Sequence, residues 1–307
     1  PYTLSLNYYL TAQGSYYGGR ANFIRGGSQE LSDALTGIIE ENNGTVRLNS
    51  LVTGIEYQGG QPSGVTYENA RGRQKESHTD HAGQIIVNAA VPNLAASLLP
   101  GSDGKRLARA ISGNRIGASL LTVYFGFSKP LKTLGNKHYS TFVYHPSVHT
   151  QADIVTNNHS DFSTRGFTFV DYSQVDSRLA PEGKSVGAAC CVDYPEDWQG
   201  MLREEYVRLK ADVADIITGR CEAFIPGFRD AVEHVEVATS LSVERFTLNP
   251  GGAVYGFAQH PDKSSEYLSE LPGNIHIASA WGKFGGGFSG AIISGYMTAL
   301  QILRKRS

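Results

Sequence analysis

The stretch ASAWGKFGGGFSGAIISGYMTAL, residues 278–300, limits what this chain can fold into more than any other segment. The strand-forming run NIHIASAW (274–281) leads into three consecutive glycines, Gly285, Gly286 and Gly287, and then into a helix predicted over 288–305. A strand, a glycine turn and a helix N-terminus gather unpaired N–H groups at the positive end of the helix macrodipole. Glycine removes the side chain, so a neighbour can approach the backbone closely. The helix adds a second feature, because Gly290, Ala291, Ser294, Gly295 and Thr298 give it a side built of small residues. A flat, partly anionic ring system satisfies both features. A tight loop with close helix–sheet packing satisfies them as well.

The length, 307 residues, is enough for two domains with buried cores. A formal net charge of −2 excludes the concentrated basic surface that nucleic acid requires, so no nucleic-acid partner is expected. The basic run Arg304, Lys305 and Arg306 reads as a helix end complementing the macrodipole. Cys190 and Cys191 are adjacent in a predicted strand and so point to opposite faces. With no CxxC, and with the histidines scattered in polar loops, no metal site is expected. No run of 18 apolar residues occurs and no signal peptide is visible, so the expected location is the cytoplasm, with peripheral contact at a membrane. The chain begins at Pro1 rather than Met, which reads as a piece of a longer polypeptide.

Periodicity divides the chain into two textures. SQELSDALTGIIEENNG predicts a helix from Ser28, capped by Ser28, closed by Gly44, with Leu31, Leu35, Ile38 and Ile39 on one face. Strands are predicted at 45–49, 51–58 and 65–69, with RGRQKESHTDH as a polar hairpin tip. The continuous apolar run GQIIVNAA (83–90) predicts a strand buried on both faces, as in a parallel sheet, followed by a short helix from Pro92 to Leu99. From 115 to 194 four β-rich runs follow one another and predict an antiparallel sheet. A helix is predicted over 199–222, with Leu202, Val207, Ala211, Ala214, Ile216 and Ile217 as apolar positions, and then β structure and a turn over 232–248. The expected class is α/β (α+β): an α/β core made of 20–100 and 270–307, bracketing a β-rich domain of 101–269.

The C-terminal stretch IASAWGKFGGGFSGAIISGY resembles the closing motif of FAD-dependent, amine-oxidase-like oxidoreductases, above all the phytoene desaturase, carotenoid isomerase and retinol saturase branch. YYGGRANFIRGGSQELSDALTGIIEENNGTVRLNSLVTGIEYQGGQPSGV, QIIVNAAVPNLAASLLP and VEVATSLSVERFTLNPGGAVYGFAQ are similar to further segments of that branch, while 101–230 matches it only in texture. Ser279 and Lys283–Phe284 depart from the usual lead-in to the glycines. The family's N-terminal βαβ dinucleotide-binding unit has no counterpart, so the chain corresponds to the C-terminal portion.

The resemblance implies part of an FAD/NAD(P)-binding Rossmann-like domain plus an antiparallel substrate domain. It implies FAD as cofactor, with the ADP half lacking its main cradle in this chain. Val52, Trp281, Gly285, Gly286, Gly287, Phe288, Ser289, Gly290 and Ala291 are the implied cofactor-binding residues. Tyr255 and Phe257 are the implied substrate wall, and Tyr124, Phe125, Phe127, Phe142, Tyr144, Phe167 and Phe169 suit either a cavity floor or an ordinary sheet core. No nucleophile set is recognisable, and the pairs Glu40–Glu41 and Glu204–Glu205 read as surface charge, so no catalytic acid or base is assigned.

Two functions follow. One is an FAD-dependent oxidoreductase of phytoene dehydrogenase type, which desaturates, saturates or isomerises a lipophilic polyene or retinoid, with this chain alone inactive. The other is a non-catalytic lipid- or partner-binding module without the cofactor half. On either, an incomplete parallel sheet exposes apolar surface, and the chain alone is expected to form a homodimer or to aggregate.

Overall fold

The computed structural model describes residues 4–18, 22–69 and 76–304. Its helices are α1 (Leu6–Gly18), α2 (Ser28–Glu41), α3 (Val91–Asn93), α4 (Gly101–Ile111), α5 (Gln151–Asn157), α6 (Arg203–Glu222), α7 (Phe228–Ala231), α8 (Ser240–Thr247) and α9 (Gly287–Arg304). Its strands are β1 (Ser50–Gln58), β2 (Gln61–Asn69), β3 (Ser77–His81), β4 (Ile85–Val87), β5 (Ser119–Phe127), β6 (Ser140–Val143), β7 (Phe167–Asp171), β8 (Ser185–Asp193), β9 (Val232–Ala238) and β10 (Ile275–Ile277). The chain divides into two compact units: Pro1–Ser15, Val46–Ala118 and Glu244–Ser307 form one, Tyr16–Thr45 and Ser119–Val243 the other. These borders differ from the expected 100/101 and 269/270. Helix α4, which has few apolar positions to announce it, packs Leu107 and Ile111 into the same core as Val91 and Leu94.

In the first unit β1, β2 and β3 make an antiparallel sheet. The expected polar hairpin tip is thus in part a third strand, exposed along its length; residues 70–75 of that tip lie outside the described residues. No strand forms at 45–49. β4 and β10 pair in parallel, Ile85 opposite Ile275 and Val87 opposite Ile277. Their inner side joins Leu94, Phe257, Tyr267 and Trp281 in the core. The expectation of burial on both faces fails at Ile86, which is 52% exposed. Helix α9 buries only Gly290, Ser294 and Thr298, one residue per turn, and leaves Phe288, Ile292, Tyr296 and Met297 exposed.

The second unit holds a five-stranded sheet in the order β6-β7-β8-β5-β9, antiparallel throughout. Alternation along the strands buries Val123, Phe125, Phe127 and Phe169 on one face. Phe125, Phe127 and Phe169 each meet the ring of Phe228 edge-on at 5.1–5.4 Å. Helix α6 covers this face through Val213, Ala214, Ile217 and Cys221. Leu202 and Val207 do not belong to that stripe and are exposed, Leu202 because it precedes the helix as its N-cap. The expected turn after β9 is helix α8. Asp193, fully buried at the end of β8, accepts both from Trp198 Nε1 (2.9 and 3.0 Å) and from the Ser240 N–H (2.7 Å), so it caps α8 from a distant strand. Burial pushes the Asp193 carboxyl up in spite of these donors. Arg165 pairs with Asp197 at 2.9 Å and lies 3.9 Å from Asp193. Helix α2 starts at Ser28 with Gly27 as its cap, so Ser28 does not cap it, and its apolar residues Leu35, Ile38 and Ile39 are exposed.

Candidate functional site

The glycine turn lies in the first unit, between β10 and α9. Gly285 and Gly287 have φ of 73° and 79°, in the left-handed region that favours glycine. A Cβ on Gly286 would lie 2.5 Å from Cδ1 and 2.7 Å from Cα of Tyr255. One on Gly285 would meet the Tyr8 ring at 2.9 Å and the Gln259 side chain at 3.0 Å, and one on Gly290 would lie 2.6 Å from the Gly285 carbonyl oxygen. The neighbours that exclude side chains at these three positions are therefore protein atoms. Gly287 is different: a Cβ there meets nothing closer than Tyr255 Cε1 at 3.7 Å. The first-turn amides of a helix have no intrahelical acceptor. Among the described residues no side chain caps those of Gly287, Phe288 and Ser289. Gly285, Gly287 and Gly290 also carry the spacing GxGxxG after a strand and at the start of a helix, a weak signal taken alone.

A cation sits behind this turn. Lys263 Nζ donates to the Gly282 carbonyl (2.9 Å) and to Gln259 Oε1 (3.2 Å). Gln259 Nε2 donates in turn to the Phe257 carbonyl (2.8 Å). Desolvation holds the Lys263 ammonium below its ordinary range. No salt bridge to a carboxylate compensates it among the described residues. Lys263, Gln259 and Tyr8 are single residues without period or motif, so sequence reasoning has no signal for them.

The structure brings Tyr255 against the glycines and leaves it half exposed. Phe288, Ser289 and Ala291 are exposed on the first turn of α9. Phe257 and Trp281 sit elsewhere, in the core. Phe257 packs edge-on against Trp281 (5.0 Å) and Tyr267 (5.8 Å). Trp281 Nε1 donates to Asn249 Oδ1 (3.0 Å), and the Trp281 carbonyl accepts from the Tyr267 hydroxyl. Neither ring has surface to offer a ligand. Val52 lies on β1 opposite Tyr67.

In the second unit the register sorts the aromatic residues that sequence reasoning leaves together. Phe125, Phe127, Phe167 and Phe169 belong to the core. The opposite face of the sheet carries the row Phe142, Thr168, Cys190 and Thr122, and beside it Val170, Ala188 and Tyr124. Phe142 is 69% and Tyr124 48% exposed. The central strands put no charge on this face; His234 and Glu236 stand on the flanking β9. Burial pushes the Cys190 thiol up, which keeps it protonated and neutral. The arrangement suits a flat apolar ligand lying on the sheet.

Residues 2–303 match the family described as flavin containing amine oxidoreductase. A chloroplastic prolycopene isomerase of Daucus carota is 32% identical over 101 residues, 33% of this chain and 16% of the relative. Prolycopene isomerase 2 of an Oncidium hybrid cultivar is 33% identical over 101 residues, 33% of this chain and 17% of the relative. Among solved structures, cyclohexylamine oxidase from Brevibacterium oxydans aligns with a TM-score of 0.58 at 15% identity, over 99% of this chain and 61% of that one. Putrescine oxidase bound to putrescine aligns with 0.57 at 16% identity, over 91% and 53%. The structural likeness establishes the fold: a mixed helix and sheet architecture shared with FAD-dependent amine oxidases. This chain spans little more than half the length of those structures, and its sequence matches span about a sixth of the curated relatives.

Proposed function

The chain belongs to the flavin-containing amine oxidoreductase family, and from that premise we propose that it is part of an FAD-dependent oxidoreductase acting on a lipophilic polyene or retinoid-like substrate, by desaturation, saturation or isomerisation. The observation that carries the reading is the turn at Gly285–Gly290: an open backbone face at Gly287, and first-turn amides at Gly287, Phe288 and Ser289 that no side chain caps among the described residues. That donor set fits the acceptor-rich edge of an isoalloxazine. It fits the ring half of FAD only, since the βαβ unit that cradles the ADP half in this family has no counterpart in these residues.

When bound, FAD supplies the two-electron redox chemistry. The residues of this chain then orient and polarise. The first-turn amides of α9 would donate to acceptors on the ring edge, where the positive helix end would favour negative charge. Lys263 adds positive potential at the base of the same turn, through Gly282 and Gln259. Tyr255 walls the turn. The open face of the five-stranded sheet, neutral across its central strands, offers an apolar floor for the substrate. The relatives named as prolycopene isomerases favour a polyene.

No helix among the described residues is long and apolar enough to cross a membrane. A substrate that partitions into lipid places the working enzyme at a membrane surface, and co-flotation of the full-length product with liposomes checks this.

A second reading, a lipid- or partner-binding module without redox activity, is favoured by the protein atoms that already fill the space at Gly285, Gly286 and Gly290. The visible absorption spectrum of the full-length gene product, purified without added cofactor, separates the two. A flavin spectrum is expected. A colourless protein that carries lipid overturns the oxidoreductase reading.

A further inference from the structure

Asp171, fully buried at the end of β7, organises the rim of the open sheet face. Its carboxylate accepts from the Ser173 N–H (2.9 Å), Asn136 Nδ2 (2.7 Å) and Gln174 Nε2 (3.0 Å). Its own N–H donates to the Tyr139 carbonyl (2.8 Å), and Gln174 Nε2 donates also to the Asn136 carbonyl (2.8 Å). These bonds tie together the two segments that carry Tyr139 and Tyr172. The two rings meet edge-to-face at 6.0 Å, and Phe23 packs on Tyr172 at 5.4 Å. Tyr172 also lines a cleft of about 290 Å³ between Pro130 and the 173–185 loop. Desolvation, then the nearness of Tyr139, Tyr124 and Cys190, raises the Tyr172 phenol, so its hydroxyl remains a donor at neutral pH.

No protein group takes the hydroxyl hydrogen of Tyr124, Tyr139 or Tyr172 among the described residues. Tyr139 and Tyr172 stand on segments that a buried carboxylate ties together, and phenols so placed without a protein partner are donors available to a ligand. A bare hydrocarbon gives them nothing and strips their water, whereas a carbonyl oxygen replaces that water.

Resting on the reading of the sheet face as the floor for a lipophilic substrate, we propose that Tyr139 and Tyr172, with Tyr124 beside them, form a subsite for a carbonyl-bearing end of an otherwise apolar ligand. The substrate class narrows from polyenes in general to oxygenated ones.

The test uses the full-length gene product and two polyenes of one skeleton, β-carotene and its diketone canthaxanthin, delivered from the same detergent micelles. Binding is followed by quenching of protein fluorescence. The diketone should bind about tenfold more tightly than the hydrocarbon. Tyr172→Phe and Tyr139→Phe should each weaken diketone binding about fivefold and leave hydrocarbon binding unchanged. Phenylalanine keeps the ring packing, and retained hydrocarbon binding shows that each variant is folded. Equal affinity for the two polyenes, or a diketone preference that survives both substitutions, overturns the subsite and leaves the lipophilic-substrate reading standing. Binding of neither polyene by the unaltered protein overturns both.

Discussion

In the second unit five strands pair antiparallel along most of their length, and α6 and α7 seal one face with Phe228 at its centre. In the first unit the parallel pair β4–β10 stops at two strands, Ile86 stays half exposed, and α9 meets it through a stripe one residue wide. The difference follows from connectivity. Antiparallel neighbours can be supplied by adjacent chain, whereas a parallel strand needs a crossover and cover on both faces. The second unit therefore completes its own core, and the first presents apolar surface on α9 and β4 that its own residues do not cover.

The comparison breaks most readily at Phe228. If the second unit is a closed core, Phe228→Ala should cost about 3–5 kcal/mol by removing a ring that three others pack against. Chemical denaturation measures it, and a loss under 1 kcal/mol would mean that the aromatic cluster is not the centre of stability.

The next effect is expected in the first unit at Gly286→Ala. A methyl group at 2.5 Å from Tyr255 forces the turn to move, at a cost of about 1–3 kcal/mol. In the full-length protein the bound flavin per chain should fall with it. Unchanged melting and flavin content would show that the turn accommodates a side chain and is not a fixed binding element.

A smaller effect separates the units by pH. Burial raises the folded-state value of Asp193 above its unfolded one. From about pH 4 upward to that raised value, the folded protein holds a proton that the unfolded chain has released. Stability should therefore fall as pH rises through this window and be highest at its acid end. Asp193→Asn should flatten that part of the profile for the second unit and leave the first unaffected. A profile equally steep in the variant assigns the dependence to another group.

The smallest effect on stability and the sharpest on association belongs to α9. Ile292→Lys or Met297→Lys should change stability by no more than about 0.5 kcal/mol, since both residues are exposed. They should reduce the self-association expected of this chain by itself. Sedimentation that shows the unaltered chain as a well-behaved monomer would remove the premise that the first unit is open.

Much of the sheet was legible because strand alternation is a local property. The runs at 115–128, 165–173 and 184–194 became β5, β7 and β8, and the run at 83–90 became a parallel strand. The third strand at 77–81 stayed hidden because all of its residues are exposed and polar, which gives no alternation. Helix α4 stayed hidden because few of its positions are apolar, and α8 because it is short and held by a tertiary contact, through Asp193 some 47 residues away. At the glycine turn the motif was visible from the sequence, while Lys263, Gln259 and Tyr8 entered only through folding of distant segments.

The sequence by itself determined that Phe125 and Phe127 share one face and Tyr124 the other, because successive side chains of a strand alternate. It also determined a strand, a glycine turn and a helix at 274–304. Only the tertiary structure decided which face of the sheet lies under α6, that Phe257 and Trp281 pack into a core, and that Asp171 gathers Tyr139 and Tyr172. Period and turn chemistry are set by neighbours a few residues apart. Burial and hydrogen-bonded hubs join residues tens to hundreds of positions apart, and no local pattern encodes which of them will meet.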